Sequence, residues 1–213
     1  MDYIIFGAGG HAKVVLDMLR ANGDRILGVM DDRLESKEWN GLKVLGNLKS
    51  LEKEENPNIG ALFIIAIGQN ESRKKVADFL EGKGAKFGTV IHPSAIVGSN
   101  CSIGAGTVIM PNAVINADTA IGRHVIINTS SSVDHDCLIH DFAHISPGAH
   151  LAGGVSVGTG AHVGIGANVI PGIKIGNETV VGAGAAVIND LPDRVTAVGV
   201  PAVIKKQRDE ANV

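Results

Sequence analysis

From Ile91 to Val187 every sixth residue is aliphatic. The row runs Ile91, Val97, Ile103, Ile109, Ile115, Ile121, Ile127, Val133 and Ile139, then Ile145, Leu151, Val157, Val163, Val169, Ile175, Val181 and Val187. Four residues after most of these stands a small or β-branched side chain, such as Ala95, Thr107, Ala113, Val125, Ala143 or Val155. A period of six is too long for a helix face and too regular for ordinary strands. It predicts a parallel β-helix of hexapeptides, each a short strand plus a turn, with three making a triangular coil. The aliphatic residue and its small partner then point inward and stack on their equivalents in the next coil. Glycine often follows the aliphatic residue directly, as at Gly98, Gly104, Gly122, Gly158 and Gly164, and is expected to give the corner a positive φ or a close backbone approach.

Before this array the period changes. "YIIFGAGGHAKVVLDML" reads as a buried strand, a glycine turn and a helix, and "RILGVMDD" as a second strand ending in two acids. After a polar stretch, "ALFIIAIGQN" is a third strand and turn, and "SRKKVADFLEGKG" a helix. Strand alternating with helix predicts a small Rossmann-like parallel α/β domain over 1–90, followed by the β-helix and a C-terminal tail over 91–213. No Pro/Gly/Ser linker divides the two, so they are expected to pack closely. The formal charge of −3 carries no basic footprint, which argues against a nucleic-acid partner. No apolar run of membrane-spanning length and no signal-peptide pattern is present, so a cytoplasmic location without membrane insertion is expected. Cys101 and Cys137 both fall on the inward small position and read as core filler rather than a disulfide or a nucleophile.

Two sets of residues carry chemistry. The turn Gly7-Ala8-Gly9-Gly10-His11-Ala12 matches the G-x-G-x-x-A fingerprint, with Lys13 nearby and Asp31 and Asp32 ending the next strand. Backbone amides at a helix N-terminus suit phosphate. With only about 90 residues available, the nucleotide portion of a substrate is a better reading than NAD, and a turn that binds nothing is the bland alternative. The second set is a run of histidines in "INTSSSVDHDCLIHDFAHISPGAHLAGG". His135 follows the inward Val133 by two residues, which puts it at a corner or on the outer face. Adjacent Asp136 can hold the imidazole tautomer and support proton transfer. His144 and His162 are 18 residues apart and so stack one coil above the other. His124 and His150 read as outward surface residues.

The segments "IFGAGGHAKVV", "MDD", "IHPSAIVG", "IINTSSSVDHDC", "HISPGAHLAGGVSVG", "GIGANVIPGIKIG" and "VGVPA" together resemble the hexapeptide-repeat sugar O-/N-acyltransferase family. That family includes bacillosamine and perosamine N-acetyltransferases and sialic acid O-acetyltransferases. The resemblance covers both domains and implies a left-handed β-helix, acetyl-CoA as co-substrate, no metal, and a homotrimer with CoA in grooves between subunits. It implies His135 as general base with Asp136 beside it. Asn128 and His144 would line the acetyl end of the coenzyme, and the Gly153 amide would face the thioester oxygen. Gly182, Ala183 and the "GVPA" segment from Gly199 to Ala202, with Gly199 and Pro201 foremost, would border the rest of the CoA path. Gly9, Gly10, His11, Lys13, Asp32 and Gly68 would face a nucleotide-linked amino sugar of the 4-amino-4,6-dideoxy type.

Three alternatives stay open. One is O-acetylation of a sugar or of sialic acid. Another starts from His135-x4-His140, which resembles two metal ligands of the γ-type carbonic anhydrases. Those trimeric β-helices need a further histidine where this chain has Ser99, and they lack the α/β domain. The third is a nucleotide-sugar binding protein without catalysis.

Overall fold

The computed structural model describes residues 1–52 and 60–207. The C-terminal tail expected beyond Gln207 lies outside them. The N-terminal part is a five-stranded sheet. Its elements are β1 (Asp2–Phe6), α1 (Gly10–Ala21), β2 (Arg25–Met30), β3 (Glu38–Trp39), β4 (Leu42–Gly46), α2 (Leu48–Leu51), β5 (Leu62–Ile65) and α3 (Asn70–Gly82). The strand order is β3-β4-β2-β1-β5, parallel except for the β3–β4 hairpin. That hairpin occupies the stretch read as merely polar. Its turn is Asn40-Gly41, both at positive φ, the Asn-Gly pair that closes tight hairpins. Helix α1 buries Ala12, Val15, Leu16 and Leu19, the i, i+3, i+4, i+7 stripe of an amphipathic helix.

From Val90 onward the chain winds as a triangular prism of two-residue strands. Face 1 carries the strands at Val90, Val108, Ile126, His144, His162 and Val180 and ends in a hairpin of Val195–Val198 and Val203–Gln207. Face 2 runs through Ile96, Val114, Ser132, His150, Asn168 and Ala186, and face 3 through Ser102, Ala120, Leu138, Ser156 and Lys174. Each strand pairs in parallel with the one 18 residues on, as Ile127 with Ile145 (145 − 127 = 18). The aliphatic row and its small partners form one continuous core from Ile109 to Val187. In the first coil this row is less covered, and Val97 is 38% exposed because its strand is the free edge of face 2.

Of the two roles expected for the corner glycines, the structure selects close backbone approach. Glycines directly after the aliphatic residue are not at positive φ. They are required by contact with the next coil, as at Gly104, where an added Cβ would lie 2.6 Å from the Gly122 carbonyl carbon. The left-handed residue falls three positions after the aliphatic one and is often not glycine: Asn112, Asp118, His124, Ser130, Asp136 and Phe142 all take it. Both cysteines are free, with Cys137 buried in the core and Cys101 half-buried at the open end.

The α/β domain packs on face 1. Val90, Val108, Met110 and Ile126 share a cluster with α1, and Phe142 joins a second cluster with β1, β5 and α3. His124, expected on the surface, is fully buried here. Its ring stacks on Phe142 at 5.0 Å and meets Phe87 edge-on at 4.5 Å; among the described residues neither ring nitrogen has a hydrogen-bond partner, and the Glu81 carboxylate stands 3.7 Å from Nε2. Burial, with the Arg123 and Arg73 charges, pulls its pKa down to about 4.

The same holds for His11, at about 4 through burial and the Arg73 charge, and for His144, at about 3 through burial, stacked His162 and Arg73. A histidine whose folded pKa is depressed stays neutral in the native state, while the unfolded chain protonates near 6.5. Stability contributed by these groups is therefore present above pH 6.5 and lost as pH falls toward 4. The slope reaches on the order of 4 kcal/mol per pH unit if all three take up protons on unfolding. We expect a markedly lower urea midpoint at pH 5 than at pH 7, and a flat profile would refute the assignment.

Candidate active site

The sequence-predicted residues collect in three places. On the edge between faces 2 and 3, His135 and Asp136 occupy one corner and Gly153 the corner one coil above. Asp136 sits at φ +58, which turns its carboxylate back onto the preceding imidazole. His135 Nδ1 lies 2.7 Å from Asp136 Oδ2, and the imidazole side chain is 61% exposed. The Asp136 hydrogen bond, aided by Asp134, raises the His135 pKa above the ordinary imidazole value. With Nδ1–H donated to a carboxylate, Nε2 carries the lone pair. The ring lies against Gly153, where an added Cβ would come 2.6 Å from Cε1 and 2.7 Å from Nε2. The Gly153 N–H makes no hydrogen bond among the described residues. An imidazole, a carboxylate hydrogen-bonded to it and a backbone N–H thus share one exposed corner.

The second place lies on face 1 and its edge with face 2, under the α/β domain. Asn128 Oδ1 accepts the Thr129 N–H at 2.8 Å, so its Nδ2 must donate to His144 Nε2, 2.9 Å away. His144 is therefore the Nδ1–H tautomer with its Nε2 lone pair occupied, and its low pKa keeps it neutral. It is a poor base but a fixed, uncharged hydrogen-bonding group. Its ring stacks on His162 at 4.8 Å and 3°, as the 18-residue spacing predicts. The Gly68 carbonyl approaches the ring, and His144 Nδ1 and His11 Nε2 are buried without a well-formed hydrogen bond. A cavity of about 450 Å³ opens beside this cluster, lined by Gly68, Gln69, Asn70, Phe142, His144 and His162 among others.

Third is the glycine turn of the α/β domain and the ends of its strands. Gly7 needs to be glycine, because φ is +108 and a Cβ would lie 2.9 Å from the Ala66 carbonyl oxygen. At Gly9, Gly10 and Gly68 a Cβ would meet nothing within 4 Å, so fold packing does not demand glycine there. Asp31 closes the turn by accepting the Ala8 N–H at 2.8 Å, and Asp32 accepts the Leu48 N–H at 2.9 Å. Lys13 is exposed on α1. A second cavity, about 640 Å³, is lined by Phe6, Asp31, Asp32, Arg33, Gln69 and Lys75 among others. It sits past the carboxyl ends of β1, β2 and β5, where the strand order reverses about β1 and ligands of open α/β sheets bind.

The remaining predicted residues lie farther along the prism. Gly182 and Ala183 are on the edge between faces 1 and 2, and Gly199 and Pro201 on the turn of the terminal hairpin. His135 and His140 fall on different edges, either side of the Leu138–Ile139 strand. Among the described residues no group of three or more His, Cys, Asp or Glu side chains is placed to hold a metal ion, and no helix is long and apolar enough to cross a membrane. Sequence reasoning missed Gln69, which borders both cavities, and Arg73, which is 1% exposed. A signal for Arg73 was available: with Val76, Ala77 and Leu80 it completes the buried i, i+3, i+4, i+7 stripe of α3.

Comparison with known proteins places this geometry. Residues 2–80 match the PglD N-terminal domain family. The crystal structure of PerB from Caulobacter crescentus, in complex with CoA and GDP-perosamine, is 42% identical over 97% of this chain and 98% of that one, with a TM-score of 0.88. The acetyltransferase domain of PglB from Neisseria gonorrhoeae, in complex with acetyl coenzyme A, is 36% identical over 96% of this chain and 98% of that one, at a TM-score of 0.90. UDP-N-acetylbacillosamine N-acetyltransferase of Bacillus subtilis is 48% identical over 105 residues, a match spanning about half of either protein (47% of each). Fold and site thus define a left-handed parallel β-helix capped by a PglD-type α/β domain. The chain belongs to the hexapeptide-repeat sugar acyltransferase family that contains these N-acetyltransferases.

Proposed function

We propose that this chain is an acetyl-CoA-dependent acetyltransferase acting on a nucleotide-linked 4-amino-4,6-dideoxy sugar, with His135 as general base. The observation that carries the reading is the His135–Asp136 pair, with Nδ1–H held at 2.7 Å and Nε2 open at the Gly153 corner. The acceptor amine attacks the thioester carbonyl while His135 Nε2 takes its proton. The Gly153 N–H stabilises the oxyanion, and collapse expels the CoA thiolate, which receives the proton back from the imidazolium. Relatives holding CoA with GDP-perosamine, or acetyl coenzyme A, support both substrates.

In this reading the nucleotide lies in the cavity at the strand ends near Asp32, with its phosphates toward Gly9, Gly10, His11 and Lys13. The sugar reaches past Gly68 toward Asn128 and His144, and CoA runs along Gly182, Ala183, Gly199 and Pro201. His135 and the Asn128–His144 pair stand on different edges of the prism, separated by face 2, so one substrate engages both only if a second copy supplies one of them. Ile165, Ile170 and Ile188, 44–57% exposed along these two edges, fit such a contact. A homotrimer with shared sites satisfies this arrangement. Both substrates are made inside the cell, which supports a cytoplasmic location.

The test is thiol release from acetyl-CoA against UDP- and GDP-linked 4-amino-4,6-dideoxy sugars and free sialic acid. Turnover with one amino-sugar nucleotide is expected. Release with sialic acid alone would move the chain to the O-acetyl branch, and silence across the panel would refute the reading.

A further inference from the structure

Arg73 is a buried cation with no carboxylate partner among the described residues. Its Nε donates to the His124 carbonyl at 2.8 Å, and its Nη2 to the Phe142 carbonyl at 2.8 Å and to Asn70 Oδ1 at 2.8 Å. Its Nη1 donates to the Ile67 and Gly68 carbonyls at 3.0 and 3.1 Å. Asn70 in turn donates to the Gly160 and Ala161 carbonyls at 2.9 and 3.1 Å. His124, Phe142 and Gly160 are equivalent corners of three successive coils (142 − 124 = 18; 160 − 142 = 18). The segment from Ile67 to Asn70 is thereby fixed to the prism at three levels.

An uncompensated buried charge is an expensive way to join two domains, since an apolar side chain of similar volume serves packing as well or better. What the guanidinium fork adds is the placement of particular carbonyls. The segment it fixes is the wall between the two cavities: Ile67 and Gln69 line the larger, and Gly68, Gln69 and Asn70 line the smaller beside His144. Gly68 and His144 both line the smaller cavity.

We propose that Arg73 is the positioning residue for the acceptor sugar: it sets the distance between the Ile67–Asn70 wall and the His144 cluster, through which a nucleotide-linked sugar must pass from one cavity to the other. This rests on the acetyltransferase reading. Its charge also helps keep His11 and His144 neutral, as hydrogen-bonding rather than cationic groups.

The experiment is steady-state kinetics of the 213-residue chain, wild type beside Arg73→Lys and Asn70→Ala, with both substrates varied. Arg73→Lys keeps the charge and loses the fork, while Asn70→Ala removes the tether to Gly160 and Ala161 and one acceptor of Arg73 Nη2, and keeps the guanidinium with its backbone-carbonyl contacts. Losing one or two hydrogen bonds to a charged group predicts that KM for the amino-sugar nucleotide rises about 10-fold or more, while KM for acetyl-CoA stays within about 2-fold. Hydrogen exchange at the Gly68–Asn70 amides should quicken in both variants. Folded variants with unchanged KM values, or with both KM values raised equally, would overturn the proposal. A wild type that turns over no amino-sugar nucleotide would instead sink the acetyltransferase reading, and amide exchange unchanged by both substitutions would then refute the tether itself.

Discussion

Replacing His135 by alanine is expected to lower kcat for acetyl transfer by about 10²–10⁴, the usual scale for losing a positioned general base. Binding of CoA should be nearly unchanged, because the imidazole is an exposed corner group that supports no packing. Two features separate this from a general loss of structure. His135 is 61% exposed, so its removal leaves no cavity, and the thermal midpoint should move little. The acid limb of the kcat/KM profile should also report this group. Its pKa is raised by Asp136 and Asp134, so the neutral, proton-accepting form is lost as pH falls, beginning above the range of an unperturbed histidine. The same shift acts on stability with a sign opposite to that of the buried histidines: its contribution is present at low pH and lost as pH rises through the folded pKa. Wild-type turnover in the His135→Ala protein would end the assignment.

How much of this was readable in the sequence depended on whether a local rule fixed it. The aliphatic row did, because a parallel coil repeats one environment every six residues, and the stacking of His144 on His162 followed from the 18-residue coil alone. The Asn40-Gly41 hairpin was equally local, and its turn pair marks it. His124 was different. Its place in the repeat makes it an outward corner residue, and an outward corner is normally wet. What covers it is the other domain, through Phe87 and the α3 residue Glu81, together with Phe142 one coil on, and no periodicity encodes that contact. Arg73 shows the same limit from the other side. The helical stripe says that position 73 faces inward, but its acceptors are carbonyls on coils 51 and 69 residues away. Likewise the charge state of His144 comes from contact between domains, whereas the His135–Asp136 pair is a neighbour interaction that the sequence exposes directly.

Gly153→Ala should reduce kcat by about 10–10³ although it deletes no functional group, as expected when a catalytic group is displaced by about 1 Å. The added methyl would lie 2.6 Å from His135 Cε1 and 2.7 Å from Nε2, so the ring must swing away from its hydrogen bond to Asp136. The Gly153 backbone is not in the left-handed region, and its N–H survives the substitution, so neither strain nor loss of a donor confuses the result. Gly154→Ala is the matched control. That residue sits at φ +69, and the nearest atom to a new Cβ is Gly172 Cα at 3.9 Å, so it should lose about 1 kcal/mol of stability and keep turnover. The decisive measurement is the double mutant. If Gly153→Ala acts by displacing the imidazole, adding it to His135→Ala should cost nothing further, because the methyl then occupies space the ring has vacated. Additive losses would mean that Gly153 works through something other than His135, and the shared corner would lose its meaning as a site.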